Sequence, residues 1–138
     1  MTLQELIKAA QQNKLHRKRP SDEEHQIQCS CVRWFNLQYP SLKGRLFAVP
    51  NGGKRDEVTA AKLIAEGVVA GVADLILLKS NSQYGALLIE MKTPKGRQSE
   101  SQKKWQLNIC SKDEYKYVVC RSIDDFMREV KDYLRNSN

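Results

Sequence analysis

Two short apolar runs, 73–79 (ADLILLK) and 86–92 (ALLIEMK), stand on either side of the polar stretch 80–85. Apolar runs of this length bounded by turn-forming residues read as strands, and their spacing joins them as a hairpin. Nothing else in the chain narrows its fold as much, because charges sit where an apolar strand seldom keeps them. An ionised carboxylate loses several kcal/mol of hydration when it leaves water unpaired. Three charges nonetheless interrupt this pair: Asp74 at the head of the first run, and Glu90 and Lys92 at the tail of the second. Side chains alternate along a strand, so Glu90 and Lys92 project from one face and Met91 from the other. A turn centred on Ser82 sets Asp74 opposite Glu90, with Cβ atoms about 5 Å apart.

Two carboxylates and one ammonium in a single patch admit two readings. Like charges that close push one carboxyl pKa upward unless a cation lies between them, and a divalent metal with oxygen ligands is a natural occupant. A three-residue ion-pair cluster at a sheet edge accounts for the same residues.

The hairpin sits within a longer pattern. A helix is expected over about 22–38, with Ser21 as N-cap, Glu24 at the capping-box spacing, and Ile27, Cys31, Trp34 and Phe35 at helical period. A strand over 45–50 is closed by Asn51-Gly52-Gly53, a turn that also permits close backbone approach to a ligand. The next helix, about 55–66, turns Val58, Ala61, Leu63 and Ile64 inward and is capped by Gly67. Beyond the hairpin follow a helix over 99–111, a strand over 115–120 and an amphipathic helix over 123–134. Helices between strands predict an α/β fold: a mixed central sheet flanked by helices. With 138 residues the chain makes one domain, at about 150 residues per domain. Residues 1–20 read as an appendage to a domain over 21–138: a helix marked by Leu3, Leu6, Ile7 and Ala10, then the basic run 14–19.

Lys and Arg number 23 against 16 Asp and Glu, a formal net charge of +7, which favours a polyanionic partner. No apolar run approaches the ~20 residues that cross a bilayer. The first residues lack the basic segment and apolar core of a secretory signal, so a cytoplasmic protein is expected, or a nuclear one in a eukaryote. Cys29, Cys31, Cys110 and Cys120 form no pair of CxxC motifs, and Cys29 and Cys31 with His25 make a poor zinc site. His16 and His25 read as surface residues, and Trp105 as a core residue.

Gly71-Val72-Ala73-Asp74-Leu75, Leu88-Ile89-Glu90-Met91-Lys92 and Gln102 in the following helix resemble the PD-(D/E)xK nuclease pattern, specifically the virus-type replication-repair nuclease (VRR-NUC) family. The resemblance takes in Glu24-His25-Gln26-Ile27-Gln28, Pro50-Asn51-Gly52-Gly53 and Lys92-Thr93-Pro94-Lys95-Gly96, and so covers 21–135. It departs at Ala73, where the wider superfamily often has proline, a change to strand entry rather than to a ligand.

The resemblance implies a restriction-endonuclease-like core that binds Mg²⁺ or Mn²⁺ and cuts phosphodiester bonds of DNA. By it, Asp74, Glu90 and the Met91 carbonyl match metal ligands, and Glu24 completes the shell, often through water. Lys92 matches the lysine that orients water or steadies charge on the phosphate, and Gln102 a helix residue that supports either. A hard cation and a fixed ammonium suit that chemistry, because both oppose the negative charge that grows on the phosphate. From the residues alone, Glu24 can also be read as a capping-box partner of Ser21, and Gln102 as a solvent-facing glutamine. Asn51, Gly52, Lys95, Arg97 and Lys103, with Lys104 beside them, are the candidate DNA contacts. Stand-alone members of the family imply a homodimer acting on branched DNA, four-way junctions above all. A flap or duplex-end nuclease of the same fold, or an inert basic DNA-binding module, fits the motif as an alternative.

Overall fold

The computed structural model describes residues 2–5, 7, 20–50 and 56–136. The basic run 14–19, His16, Leu6, Ala10 and the Asn51-Gly52-Gly53 turn lie outside the described residues. The elements from Pro20 onward are α1 (Pro20–Gln38), a 3-10 turn (Pro40–Leu42), β1 (Leu46–Ala48), α2 (Glu57–Ala65), β2 (Leu75–Leu77) and β3 (Leu87–Met91). After them come α3 (Glu100–Cys110), β4 (Lys116–Cys120) and α4 (Ile123–Arg135). Their ends lie within two residues of those expected.

The strands form one sheet in the order β1-β2-β3-β4, antiparallel across the first two junctions and parallel across the third. A parallel neighbour cannot be reached by a tight turn, and α3 is the crossover that reaches it. The result is the mixed sheet flanked by helices that the pattern predicts.

Leu75 lies opposite Ile89 and Leu77 opposite Leu87, the register that brings Asp74 to Glu90. Asn81 shapes the connection: its Oδ1 accepts from the backbone N–H groups of Gln83 (2.9 Å) and Tyr84 (2.7 Å). Its Nδ2 donates to the Tyr133 carbonyl at 3.2 Å, tying the hairpin to α4.

β3 is buried along its whole length. On one face Leu87, Ile89 and Met91 pack with Leu75 and Leu77 against Cys31 and Phe35 of α1 and Phe126, Val130 and Tyr133 of α4. On the other, Leu88 with Ala73 and Ala86 lies under Trp105, Ile109 and Cys110 of α3. A strand covered on both faces reads as a continuous apolar run, which is why Glu90, only 1% exposed, is out of place there.

Three expectations are corrected. Helix α1 begins at Pro20, so Ser21 lies inside the first turn rather than ahead of it. Proline's fixed φ suits the first helical position, and the capping-box account of Glu24 lapses. In α2 no residue is buried: Val58 is 81% and Ile64 67% exposed, Ala61 is exposed, and of the four inward candidates only Leu63 is half-buried. The ends of α2 are set by backbone chemistry instead. Asp56 accepts from Thr59 N–H at 2.7 Å, and at the far end Gly67 (φ +105°) and Val68 donate to Ile64 and Leu63 at 3.0 and 2.9 Å. Finally, Trp34, Phe35 and Leu37 are by their sequence the apolar residues that α1 could spare for a subunit interface, but Phe35 is buried and Trp34 packs edge-on against Tyr39 and Phe126, so of the three only Leu37 stays exposed.

Cys31 is buried while Cys29 is exposed, its Sγ 3.5 Å from His25 Nε2. Burial pushes the Cys31 and Cys120 thiols up to about 12, which leaves them unreactive. No described helix is long and apolar enough to cross a membrane.

Candidate active site

Asp74 enters the site where the β1–β2–β3 ladder ends. Its carbonyl accepts from Val49 N–H at 2.9 Å, and its carboxylate Oδ2 accepts from Met91 N–H at 2.7 Å. The backbone of β3 thus grips the side chain that the hairpin register delivers. Met91 turns its own side chain into the larger core, where it is 1% exposed, and leaves its backbone at the site.

Glu90 lies across from Asp74, close enough for the two carboxyls to share a hydrogen bond. Three further groups reach it. Gln102 Nε2 donates to Oε1 at 2.8 Å, Tyr117 Oη donates to Oε2 at 3.0 Å, and Lys92 Nζ lies 3.6 Å from Oε1. Burial first, and the Asp74 charge second, push the Glu90 carboxyl up to about 8, against the smaller downward pull of Tyr117 and Lys92. Two carboxyls held together in this way share a proton unless a cation replaces it.

Glu24, half-buried near the start of α1, is near enough for both charges to act on it. Burial raises its carboxyl, Lys92 opposes the rise and Asp74 adds to it. Among the described residues no three His, Cys, Asp or Glu side chains draw together as a ready ligand set. Asp74 and Glu90 therefore form the inner pair, with Glu24 standing further off.

Gln102 is placed by helix chemistry. Ser99 caps α3 by accepting from Gln102 N–H at 3.2 Å, and Gln102 Oε1 accepts from Ser99 N–H at 2.8 Å, a complete capping box. With its oxygen engaged there, the side-chain amide is left to aim its N–H at Glu90. Gly71 brings Asp74's loop against this helix end. At φ +86° it lies so close that a Cβ would meet Ser101 O at 2.2 Å and Gln102 N at 2.8 Å.

Lys95 and Arg97 are exposed on the segment that follows Lys92, and Lys103 and Lys104 on α3 beside Gln102. Lys103 is shared with Glu100 at 3.6 Å. Asn51 and Gly52 lie outside the described residues. The post-β3 segment is held by Arg121, whose Nη1 donates to the carbonyls of Thr93 (2.8 Å), Pro94 (3.3 Å) and Gly96 (2.7 Å).

Asp74, Glu90, Lys92 and Gln102 thus meet in one place. Tyr117, Gln98 and Arg121 are the site-supporting residues that the sequence reading missed. A tyrosine inside a strand carries one usable signal: a buried hydroxyl needs a partner. Trp105, expected in the core, is half-buried and packs against Tyr117 at 6.3 Å.

A family model described as the VRR-NUC domain matches residues 12–124. A solved structure described as a VRR_NUC domain protein is similar, with a TM-score of 0.71 and 25% sequence identity, over 83% of this chain and 90% of that one. No curated protein matches the chain.

Proposed function

The chain belongs to the VRR-NUC domain family, a family of nucleases, and from that premise we propose that it is a divalent-metal-dependent endonuclease acting on branched DNA, four-way junctions above all. The observation that carries the metal dependence is the Asp74–Glu90 pair: two carboxyls set opposite one another by the hairpin register, one of them 1% exposed and raised by burial and by its neighbour's charge. That donor set fits a hard cation, since replacing the shared proton by Mg²⁺ or Mn²⁺ relieves the repulsion that burial magnifies. Asp74, Glu90 and the Met91 carbonyl would hold the ion, with Glu24 reaching it through water. When bound, the ion supplies a Lewis acid for the phosphoryl oxygen and acidifies water.

The chain's own residues do the rest. Lys92, 12% exposed and 3.6 Å from Glu90, keeps an ammonium fixed at the edge of the pair, where it steadies negative charge growing on the phosphate. Gln102 and Tyr117 hold Glu90 in place. Lys95 and Arg97 are exposed where phosphates can meet them, Lys103 is exposed but shared with Glu100, and the net charge of +7 draws DNA towards an otherwise acidic centre. Symmetric incision of a junction would call for two sites related by a two-fold axis, and so for a homodimer as the working form.

The deciding experiment is incision of forks, flaps, duplex and four-way junctions with Mg²⁺ and with Mn²⁺, for the wild type and for Asp74→Asn. Metal-dependent paired nicks in the junction are expected from the wild type, and DNA binding without cleavage from the variant. Wild-type rates in Asp74→Asn would remove Asp74 from the site. Preference for flaps or duplex ends would reassign the substrate, and binding without cleavage by the wild type would make the chain a DNA-binding module.

A further inference from the structure

Glu90 is held from two sides. Its Oε1 accepts from Gln102 on α3 at 2.8 Å and its Oε2 from Tyr117 on β4 at 3.0 Å. The direction of the second bond follows from the donors available. Gln98 Nε2 lies 3.2 Å from the Tyr117 hydroxyl and 2.9 Å from Gln106 Oε1, and an amide nitrogen can only donate. The hydroxyl therefore accepts from Gln98 and commits its single hydrogen to Glu90. A chain of donors, Gln98 to Tyr117 to Glu90, runs from the segment just before α3 into the acidic pair.

The last torsion of a glutamate is soft and broad, so a carboxylate anchored on one oxygen swivels. Anchored on both, it keeps its remaining lone pairs turned in one direction, and here Asp74 lies close enough to share a hydrogen bond with them. The Tyr117 ring is itself braced by Trp105, with centroids 6.3 Å apart.

We infer that Tyr117 is a positioning residue that fixes the Glu90 carboxylate for a divalent cation, with Gln98 setting the direction of its hydroxyl. The inference rests on the nuclease reading, because it concerns the same acidic pair. Partners of this kind, which touch a ligand side chain and not the ion, are typically worth 10–100-fold in metal affinity or activity.

The test is Tyr117→Phe, which keeps the ring and removes the hydroxyl. Mn²⁺ is titrated calorimetrically without DNA, and cleavage is followed against Mg²⁺ concentration. Mn²⁺ affinity is expected to fall about tenfold or more, and the Mg²⁺ needed for half-maximal cleavage to rise in step. Metal-free DNA affinity should stay unchanged, which a merely structural defect would not allow. Gln98→Ala, which leaves Tyr117 intact, should move the same quantities in the same direction by less. Should Tyr117→Phe fail to fold, Gln98→Ala alone decides. Wild-type Mn²⁺ affinity in the decisive variant overturns the inference while leaving the nuclease reading standing. A wild-type protein that neither binds Mn²⁺ nor cuts DNA overturns both.

Discussion

Glu90 is the residue at which folding and chemistry compete most directly. In the unfolded chain its carboxyl titrates at the ordinary 4.5, whereas burial and Asp74 hold it at about 8 in the folded, metal-free protein. The folded state therefore binds the extra proton between those values. The stability it contributes is complete below 4.5 and is lost as pH rises through about 8. With a chelator present, the thermal midpoint should fall across that window, and calorimetry on Glu90→Gln should give a flatter profile. A flat wild-type profile would place the proton elsewhere. Lys92 supports a second prediction: Lys92→Ala should slow cleavage by roughly 10², the scale of removing one preorganised charge, while calorimetry still finds metal binding. A collapsed metal site would make Lys92 a structural counter-ion. Asp74, Glu90 and Lys92 were legible because a charge inside an apolar strand breaks the local pattern. Tyr117 was not, since tyrosine is ordinary in strands and its meeting with Glu90 depends on a parallel register set by a crossover. Glu24 and Gln102 stood out only through the family resemblance, because carboxylates and amides are commonplace on helix surfaces.

Among the elements, the hairpin and α3 assemble the site, and they meet at Gly71. Its φ of +86° and the 2.2 Å approach of a notional Cβ to Ser101 O leave no room for a side chain against backbone atoms. Gly71→Ala should cost about 1–3 kcal/mol, read as a lower urea midpoint, and should impair cleavage by parting Asp74 from Gln102. Unchanged stability would mean that the loop and helix separate easily. The same scale exposes what periodicity conceals. The β2–β3 register was readable because both strands lie in one hairpin with a short polar turn, whereas α2 has a helical apolar pattern and buries nothing. Apolar spacing reports that a face could be buried, and a helix following an edge strand has little to bury it against. Its caps, Asp56 and Gly67, were the better signal, since they act through the backbone.

For the whole molecule, paired nicks in a two-fold-symmetric junction call for two sites related by symmetry, and two-fold dimers are the commonest oligomer. Of the helices with apolar residues to spare, α1 commits Trp34 and Phe35 to its core, while Leu3 and Ile7 stay exposed at 73% and 49%. Light scattering should therefore give the mass of two chains at micromolar concentration, and Ile7→Lys should reduce it towards one. A wild-type mass of one chain, with single flaps cut in preference, would overturn the dimeric junction reading. The order of strands in the sheet has a consequence for synthesis. Each strand lies beside the one made before it, so the first three can pair while the ribosome is still adding residues, at about 5–20 per second. Glu90 emerges with that first part, but Gln102, Tyr117 and the core residues of α4 follow it. The surroundings of the acidic pair are thus completed by the last part of the chain to be made. A copy stopped short of β4 lacks the Tyr117 hydroxyl that anchors Glu90 and the α4 residues that close the larger core.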